Sequence, residues 1–431
     1  MNKKFLKDSS VTGFALFAMF FGAGNLIFPP YLGWSSASNW FLGFLCFIAA
    51  DVGLSMAALL VVAKLGGGAQ KVAQRLGKRT ATLLLAANVI CIGPLIAIPR
   101  TAATTFEFGI QPLFPGISSW IFSIFFFLVV ILLSLRQSKA VDIIGSILAP
   151  VMLVILGLLI IKGITSPLGV AHGDTPKNTV IRDGILAGYQ TMDMMAAVVF
   201  SMAVTVNIIQ KGYKSQRQQY RLIACSGVIS SVALFAVYCG LAYLGATVST
   251  VYPSTMSQSE LLIAITSGLL GQSGIVLLGM IVAMACLTTA IGLVCSASSY
   301  FAELSKGRVS YRTFVILFSA VSCVISNYGI STIINFASPI LELIYPVLLV
   351  LIATGLFHSH IKNDNIVRFA AAGAFATALA TQLENLFHLN LGVSYLPLAD
   401  LGFAWLLPAL LFGVVGFFFK PIEPDVKGAC I

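Results

Sequence analysis

Long apolar runs separated by short polar stretches recur along the whole chain, and a run of about 20 such residues can cross a bilayer as a helix. Twelve runs are read, at 11–33, 39–63, 80–100, 118–135, 141–163, 184–208, 220–245, 271–301, 313–327, 333–356, 367–387 and 401–419. The pattern predicts an all-α integral membrane protein with twelve transmembrane helices. The longest outer connections, near 164–183 and 246–270, mix Ser, Thr, Gly and Pro, and no linker is evident, so a single transmembrane domain over 1–431 is expected. The first run starts at Val11 without a small-residue cleavage site and reads as a retained helix rather than a signal peptide.

Two runs are interrupted by residues that suit a helix poorly. The first contains FFGAGNLIFPP from Phe20 to Pro30, in which Gly22 and Gly24 loosen the helix and Pro29 and Pro30 each remove a backbone donor. The sixth contains Gly188, Tyr189, Gln190, Thr191, Met192 and Asp193 within ILAGYQTMDMMAAVVF. Breaks five spans apart imply two halves of opposite orientation, 11–163 and 180–356, with 367–419 outside the repeat. Such a pair is the sequence mark of a transporter site, because unwound backbone survives in a bilayer only where it faces protein, water or ligand. A break after Phe21 frees the amides of Ala23, Gly24 and Asn25 at the positive end of a half-helix, which suits a carboxylate. The carbonyls from Ala18 to Phe21 end the preceding half-helix and suit a cation.

Composition agrees with the membrane reading: 58% of the 431 residues are hydrophobic, 9% are charged, and the mean hydropathy is +0.97. A net charge of +10 raises the question of nucleic acid, but its distribution answers it. Of the 25 basic residues, all except Arg100, Lys162, Lys177 and Arg182 fall in segments that share one side if both termini are inside. The basic excess is thus an orientation signal, with both termini expected in the cytoplasm. Eight cysteines show no CxxC or CxxH spacing and read as small apolar packers. His358 and His360 lack further ligands for a metal, so metal catalysis is not supported.

Span 8 holds Ala285, Thr288 and Thr289 in ACLTTAIG, where two hydroxyls and one carbonyl a turn earlier present three oxygens on one side of a helix. Hard monovalent cations take oxygen ligands and need no thiolate or imidazole; the same threonines could instead bond back to their own helix.

FFGAGNLIFPPYLG, CIGPLIAIPRTAATTFEFG, GYQTMD and ACLTTAIGL resemble the signature stretches of the bacterial branched-chain amino acid:cation symporter family, and the likeness covers essentially the whole chain. That family is similar to the amino acid/polyamine/organocation superfamily, which implies a LeuT-like 5+5 inverted repeat with spans 1 and 6 broken. The resemblance implies a sodium site between the span 1 break and span 8, made of the carbonyls of Ala18, Phe21 and Ala285 and the hydroxyls of Thr288 and Thr289. Some proton-coupled relatives carry a span 5 lysine there; here the span 5 lysine, Lys162, sits at the outer end, which favours Na+ as coupling ion. A second sodium site using Asn25 is left open.

The remaining polar positions are Asp51, Asp193 and Glu342 inside spans 2, 6 and 10, where ionisable groups are functional candidates. Asp193 could cap its half-helix or meet a substrate ammonium; Asp51 and Glu342 could stabilise the bundle. Arg100 and Glu107, seven apart, read as an outer ion pair or gate. Phe20, Met192, Met194, Met195 and Ile98 are candidates for an apolar side-chain pocket. Together these imply no enzyme but a sodium-coupled symporter in the bacterial cytoplasmic membrane. Its substrates would be L-leucine, L-isoleucine and L-valine, carried by alternating access, with substrate-binding residues Phe20, Gly22, Ala23, Gly24, Asn25 and 188–193. No nucleic acid or obligate protein partner is implied beyond the lipid bilayer. A proton-coupled carrier, or one for another small neutral amino acid, is the alternative. A channel lacks a repeated pore ring, and an intramembrane enzyme lacks its nucleophile and base.

Overall fold

The structure, a computed structural model, describes residues 3–66, 68–253, 255–358 and 360–419. Lys420, Lys427 and Cys430, counted above, lie outside the described residues. Among those described there is no strand. In chain order the helices are α1 (Lys3–Phe20), α2 (Ala23–Ser36), α3 (Trp40–Ile48), α4 (Leu54–Lys64), α5 (Ala69–Ala73), α6 (Lys78–Ile90), α7 (Ala97–Thr105), α8 (Ser119–Ser134), α9 (Gln137–Ile143) and α10 (Ala149–Thr165). They continue as α11 (Lys177–Gln190), α12 (Asp193–Gln210), α13 (Gln216–Thr247), α14 (Gln258–Leu270), α15 (Gln272–Leu304), α16 (Tyr311–Ser326), α17 (Ile330–Leu356), α18 (Asp364–Phe387) and α19 (Leu406–Phe417).

Eight helical stretches among the described residues are long and apolar enough to cross a membrane, and one of them, Ala23–Lys64, runs through parts of two predicted spans. Shorter apolar helices at Ser119–Ser134, Tyr311–Ser326 and Leu406–Phe417 coincide with three more. On α8, Ile121, Phe125, Leu128 and Leu132 are exposed. Their spacing is that of one helix face, and an apolar face with no packing partner is what a bilayer accepts.

The connection near 246–270, read as loop from its polar composition, contains α14. Its start is fixed by a capping box: the Ser257 hydroxyl accepts from the Glu260 amide, and the Glu260 carboxylate accepts from the Ser257 amide at 2.8 Å. The Ser257 amide first, and then its hydroxyl, which donates to the same carboxylate at 2.7 Å, hold the Glu260 carboxyl below its ordinary range.

Contacts divide the described residues into two compact units, one within 1–68 and 88–337, the other within 69–87 and 338–419. Glycines set the closest helix crossing of the first unit. A Cβ on Gly33 would overlap the Ala242 carbonyl and one on Gly245 the Pro30 carbonyl, so α2 and α13 meet backbone to backbone. In the second unit Arg75 pairs with Asp364 at 2.6 Å, and Gln382 donates to Glu342 at 2.5 Å, which ties Glu342 to α18.

Candidate functional site

The first half-helix stops at Phe20, Gly22 adopts extended geometry (φ −103°, ψ −165°), and α2 opens at Ala23. Past Phe17, whose carbonyl keeps its helical donor, the carbonyls at the end of α1 have lost theirs, and most find another. The Phe17 carbonyl accepts from the Phe21 amide at 2.8 Å and that of Phe20 from the Gly22 amide at 2.7 Å. The other two are met from α15: the Thr288 hydroxyl donates to the Ala18 carbonyl at 2.7 Å and the Thr289 hydroxyl to the Met19 carbonyl at 3.0 Å. Thr288 also lies 3.0 Å from the Ala285 carbonyl. Phe21 is fully buried, yet its own carbonyl accepts no hydrogen bond from any described residue. Four of the five predicted cation ligands therefore lie at one contact of α1 with α15, with the unmatched Phe21 carbonyl at the break beside it. A Cβ on Gly22 would come 3.1 Å from the Thr289 hydroxyl, which is why a side chain suits that position poorly.

The second break is narrower than the sequence implied. Gly188, Tyr189 and Gln190 remain helical in α11, and the interruption falls at Thr191 and Met192, the latter left-handed at φ +67°. A methionine there stores strain of about 1–3 kcal/mol, which surrounding contacts must offset. Gly188 serves packing: its Cα faces Ala50, the Phe47 carbonyl and the Asp51 amide so closely that a Cβ would fall within 3.0 Å of each. That approach sets α11 against the π-helical turn Ala49–Gly53, and it delivers Thr191 to Asp51, hydroxyl to carboxylate, at 2.8 Å.

The two breaks meet through Asn25. Its amide nitrogen donates to Asp193 at 2.8 Å and to the Tyr238 hydroxyl at 2.8 Å, and lies 3.4 Å from Asp51. An amide has two N–H donors, so the short contacts take both and the third is weak. All four side chains are buried. Two carboxyl groups around one neutral amide leave the cluster short of positive charge, and a proton, a cation or an ammonium must make up the difference.

Beside this cluster lies a cavity of about 30 Å³, room for one or two water molecules. Phe20, Gly22, Ala23, Asn25, Thr191, Met192 and Asp193 line it, joined by Met19, Ile92, Phe200 and Leu293. Met194, Met195 and Ile98, expected in the apolar pocket, are buried elsewhere in the core and do not line it. Gly24 borders Phe28 and Arg100. Arg100 itself lines the cavity, whereas the Glu107 carboxylate accepts from the Ile330 amide at 3.0 Å. The expected Arg100–Glu107 pair is therefore not formed: about 10 Å of helix rise separates seven residues, and the two side chains turn to different surroundings, the cavity and the start of α17. Tyr238 and the Met19 carbonyl were missed, because a tyrosine in an apolar run carries no local mark of its partner.

A family model described as "Branched-chain amino acid transport protein" matches residues 5–423. The chain is 35% identical over 426 residues to the branched-chain amino acid permease BraB of Bacillus subtilis, covering 96% of this chain and 95% of that one. It is 33% identical to the branched-chain amino acid transport system 3 carrier protein of Pseudomonas aeruginosa, covering 94% of each. Among solved structures it is similar to the nucleobase-cation-symport-1 family transporter Mhp1 (TM-score 0.61, 13% identity, 95% and 91% of the two chains). A Na+-coupled sialic acid symporter follows (TM-score 0.59, 14%, 96% and 90%), then MhsT in complex with L-phenylalanine (TM-score 0.58, 16%, 94% and 97%). The fold is therefore that of LeuT-like transporters, and the chain is a transport protein rather than an enzyme. By the family model and these relatives, the chain belongs to the branched-chain amino acid transport protein family.

Proposed function

We propose that this protein is a sodium-coupled symporter that imports leucine, isoleucine and valine across the bacterial cytoplasmic membrane by alternating access. The observation that carries the coupling is the oxygen cluster in which the Thr288 hydroxyl lies 2.7 Å from the Ala18 carbonyl and 3.0 Å from that of Ala285, beside the unmatched carbonyl of Phe21. Sodium replacing the Thr288 proton contacts would pull α1 and α15 together, so its arrival and loss bias the two states of the carrier. In this reading the chain crosses the membrane twelve times, as inverted repeats 11–163 and 180–356 followed by two helices within 367–419, with both termini inside. The amides of Ala23, Gly24 and Asn25 face the substrate carboxylate, and Asp193 faces its ammonium. Phe20, Met192 and Phe200 offer the side chain an apolar wall that separates aliphatic residues differing by one methylene only weakly, by about 1–3 kcal/mol. The small cavity then requires the half-helices to part before a branched side chain enters.

Proton coupling is the second reading, and the pairing of Asp51 and Asp193 around Asn25 favours it, since adjoining carboxyls can carry a proton between states. Lys162 does not support it, for it lies at the end of α10 with Ser166 as partner. Uptake of labelled leucine, isoleucine, valine and alanine into proteoliposomes under imposed gradients decides between the two. Accumulation driven by an inward sodium gradient is expected; accumulation that follows only a proton gradient would overturn the sodium assignment, and no aliphatic uptake would overturn the substrate class.

A further inference from the structure

The cavity holds one charged group that neither break supplies. Gly93 leaves helical geometry (φ −86°, ψ −120°), Pro94 follows, and α7 restarts at Ala97. The restart puts Arg100 in the first turn of α7, its amide bonded to the Ile96 carbonyl at 3.0 Å and its side chain at the cavity wall. A Cβ on Gly24 would come 3.6 Å from a terminal guanidinium nitrogen, so the fork stands beside the opening turn of α2. The Arg100 side chain forms no hydrogen bond or ion pair with any described residue. Asp193 is within electrostatic range only, and its Oδ2 is already held by Asn25 at 2.8 Å. A guanidinium keeps its charge and presents five donors in one plane, the match for the two oxygens of a carboxylate. Its donors line the cavity with no acceptor from the described residues, so this fork stands ready for an anion that comes and goes.

We propose that Arg100 recognises the carboxylate of the transported amino acid, holding it as a bidentate pair against the amides that open α2. The inference rests on the reading of this cavity as the substrate site, and it deepens that reading by setting the direction of the zwitterion. The carboxylate lies toward Arg100 and Gly24, the ammonium toward Asp193. Gly24 stays small because Phe28 and the guanidinium flank it, 3.0 and 3.6 Å from where a Cβ would be. The ligand class is then a branched aliphatic molecule with a free α-carboxylate, and the corresponding amide is a poor ligand.

The competing role for Arg100 is to balance Asp193 electrostatically, in which case its loss weakens every ligand alike. Inhibition of labelled leucine uptake by unlabelled leucine and by leucinamide, measured in proteoliposomes for the wild type, Arg100→Gln and Arg100→Lys, separates the two. In Arg100→Gln leucine weakens about 10- to 100-fold, the range of a lost charged hydrogen-bond pair, while leucinamide changes less than twofold. Arg100→Lys, which keeps the charge without the fork, falls between and serves also if the glutamine variant fails to insert. Equal weakening of both ligands, or leucine inhibition unchanged in either variant, overturns the proposal. A wild type that takes up no branched-chain amino acid instead overturns the substrate reading on which it rests.

Discussion

The hydroxyl of Thr288 stands 2.7 Å from the carbonyl of Ala18, so a side chain of α15 closes the broken end of α1. Both residues are fully buried, and Thr288→Ala leaves that carbonyl without a donor, at a cost of about 1–3 kcal/mol. If sodium uses the same oxygens, the variant also loses a ligand. The sodium concentration for half-maximal leucine uptake should rise about tenfold in Thr288→Ala, rise less in Thr289→Ala, and return nearly to normal in Thr288→Ser. Unchanged sodium dependence in both alanine variants would remove the ion from this contact.

Asn25 stands beside two adjoining carboxyl groups, bonding that of Asp193 and the Tyr238 hydroxyl at 2.8 Å each. Asn25→Ala should therefore destabilise the protein by about 2–3 kcal/mol, through lost bonds and through carboxyl groups left without the amide donor beside them. Adding Asp51→Asn should recover about 1 kcal/mol or more, because it removes one of the two charges. Thermal unfolding in detergent across the double-mutant cycle reads this directly, and strictly additive effects would show that Asn25 is not coupled to the carboxyl pair.

The α2–α13 crossing has no room for a methyl group at either glycine. Gly33→Ala and Gly245→Ala should each cost about 1–3 kcal/mol or more by overpacking, since backbone rather than a flexible side chain must move. Gly157→Ala on α10, where nothing lies within 4 Å of an added Cβ, is the control and should be neutral or slightly stabilising. Comparable melting temperatures in all three would refute the close crossing.

The breaks were legible in the sequence because Gly22 and the polar cluster 188–193 act locally, although Pro29 and Pro30 lie inside α2 and break nothing, and the second break is confined to Thr191 and Met192. The α15 oxygens were legible for the same reason, as spacing within one helix. Assignments that depended on which helices meet were not. Gly188 looked like part of a break and instead lets α11 approach Asp51, while Tyr238 enters the cluster from a helix with no polar signal around it. Arg100 and Glu107 were paired by a seven-residue rule that gives a shared face but not contact, and the cavity and the Ile330 amide, which engage them instead, belong to the tertiary structure. The helix α14 could have been found, since Ser257 and Glu260 stand three apart before an apolar run, the mark of a capping box.

The end of the bundle that carries the start of α1 is latched by polar contacts. Lys211 pairs with Asp142 at 2.8 Å, Asn207 donates to the same carboxylate at 3.3 Å, and the Tyr213 hydroxyl donates to Asp8 at 2.8 Å. Partial burial, then Asp8, pushes the Tyr213 phenol up to about 12, so this donor keeps its proton throughout the physiological range. Asp142 and Lys211 are partly exposed, and such a pair contributes about 0.2–1 kcal/mol. Asp142→Asn combined with Tyr213→Phe should therefore not unfold the protein but shift its conformational balance two- to tenfold toward a state opened at this end. Spin labels at Lys7 and Lys214 would report that shift as a longer-distance population in the double variant, larger without sodium than with it. A distance distribution identical to the parent's, with transport rate unchanged, would mean that these contacts do not hold the gate.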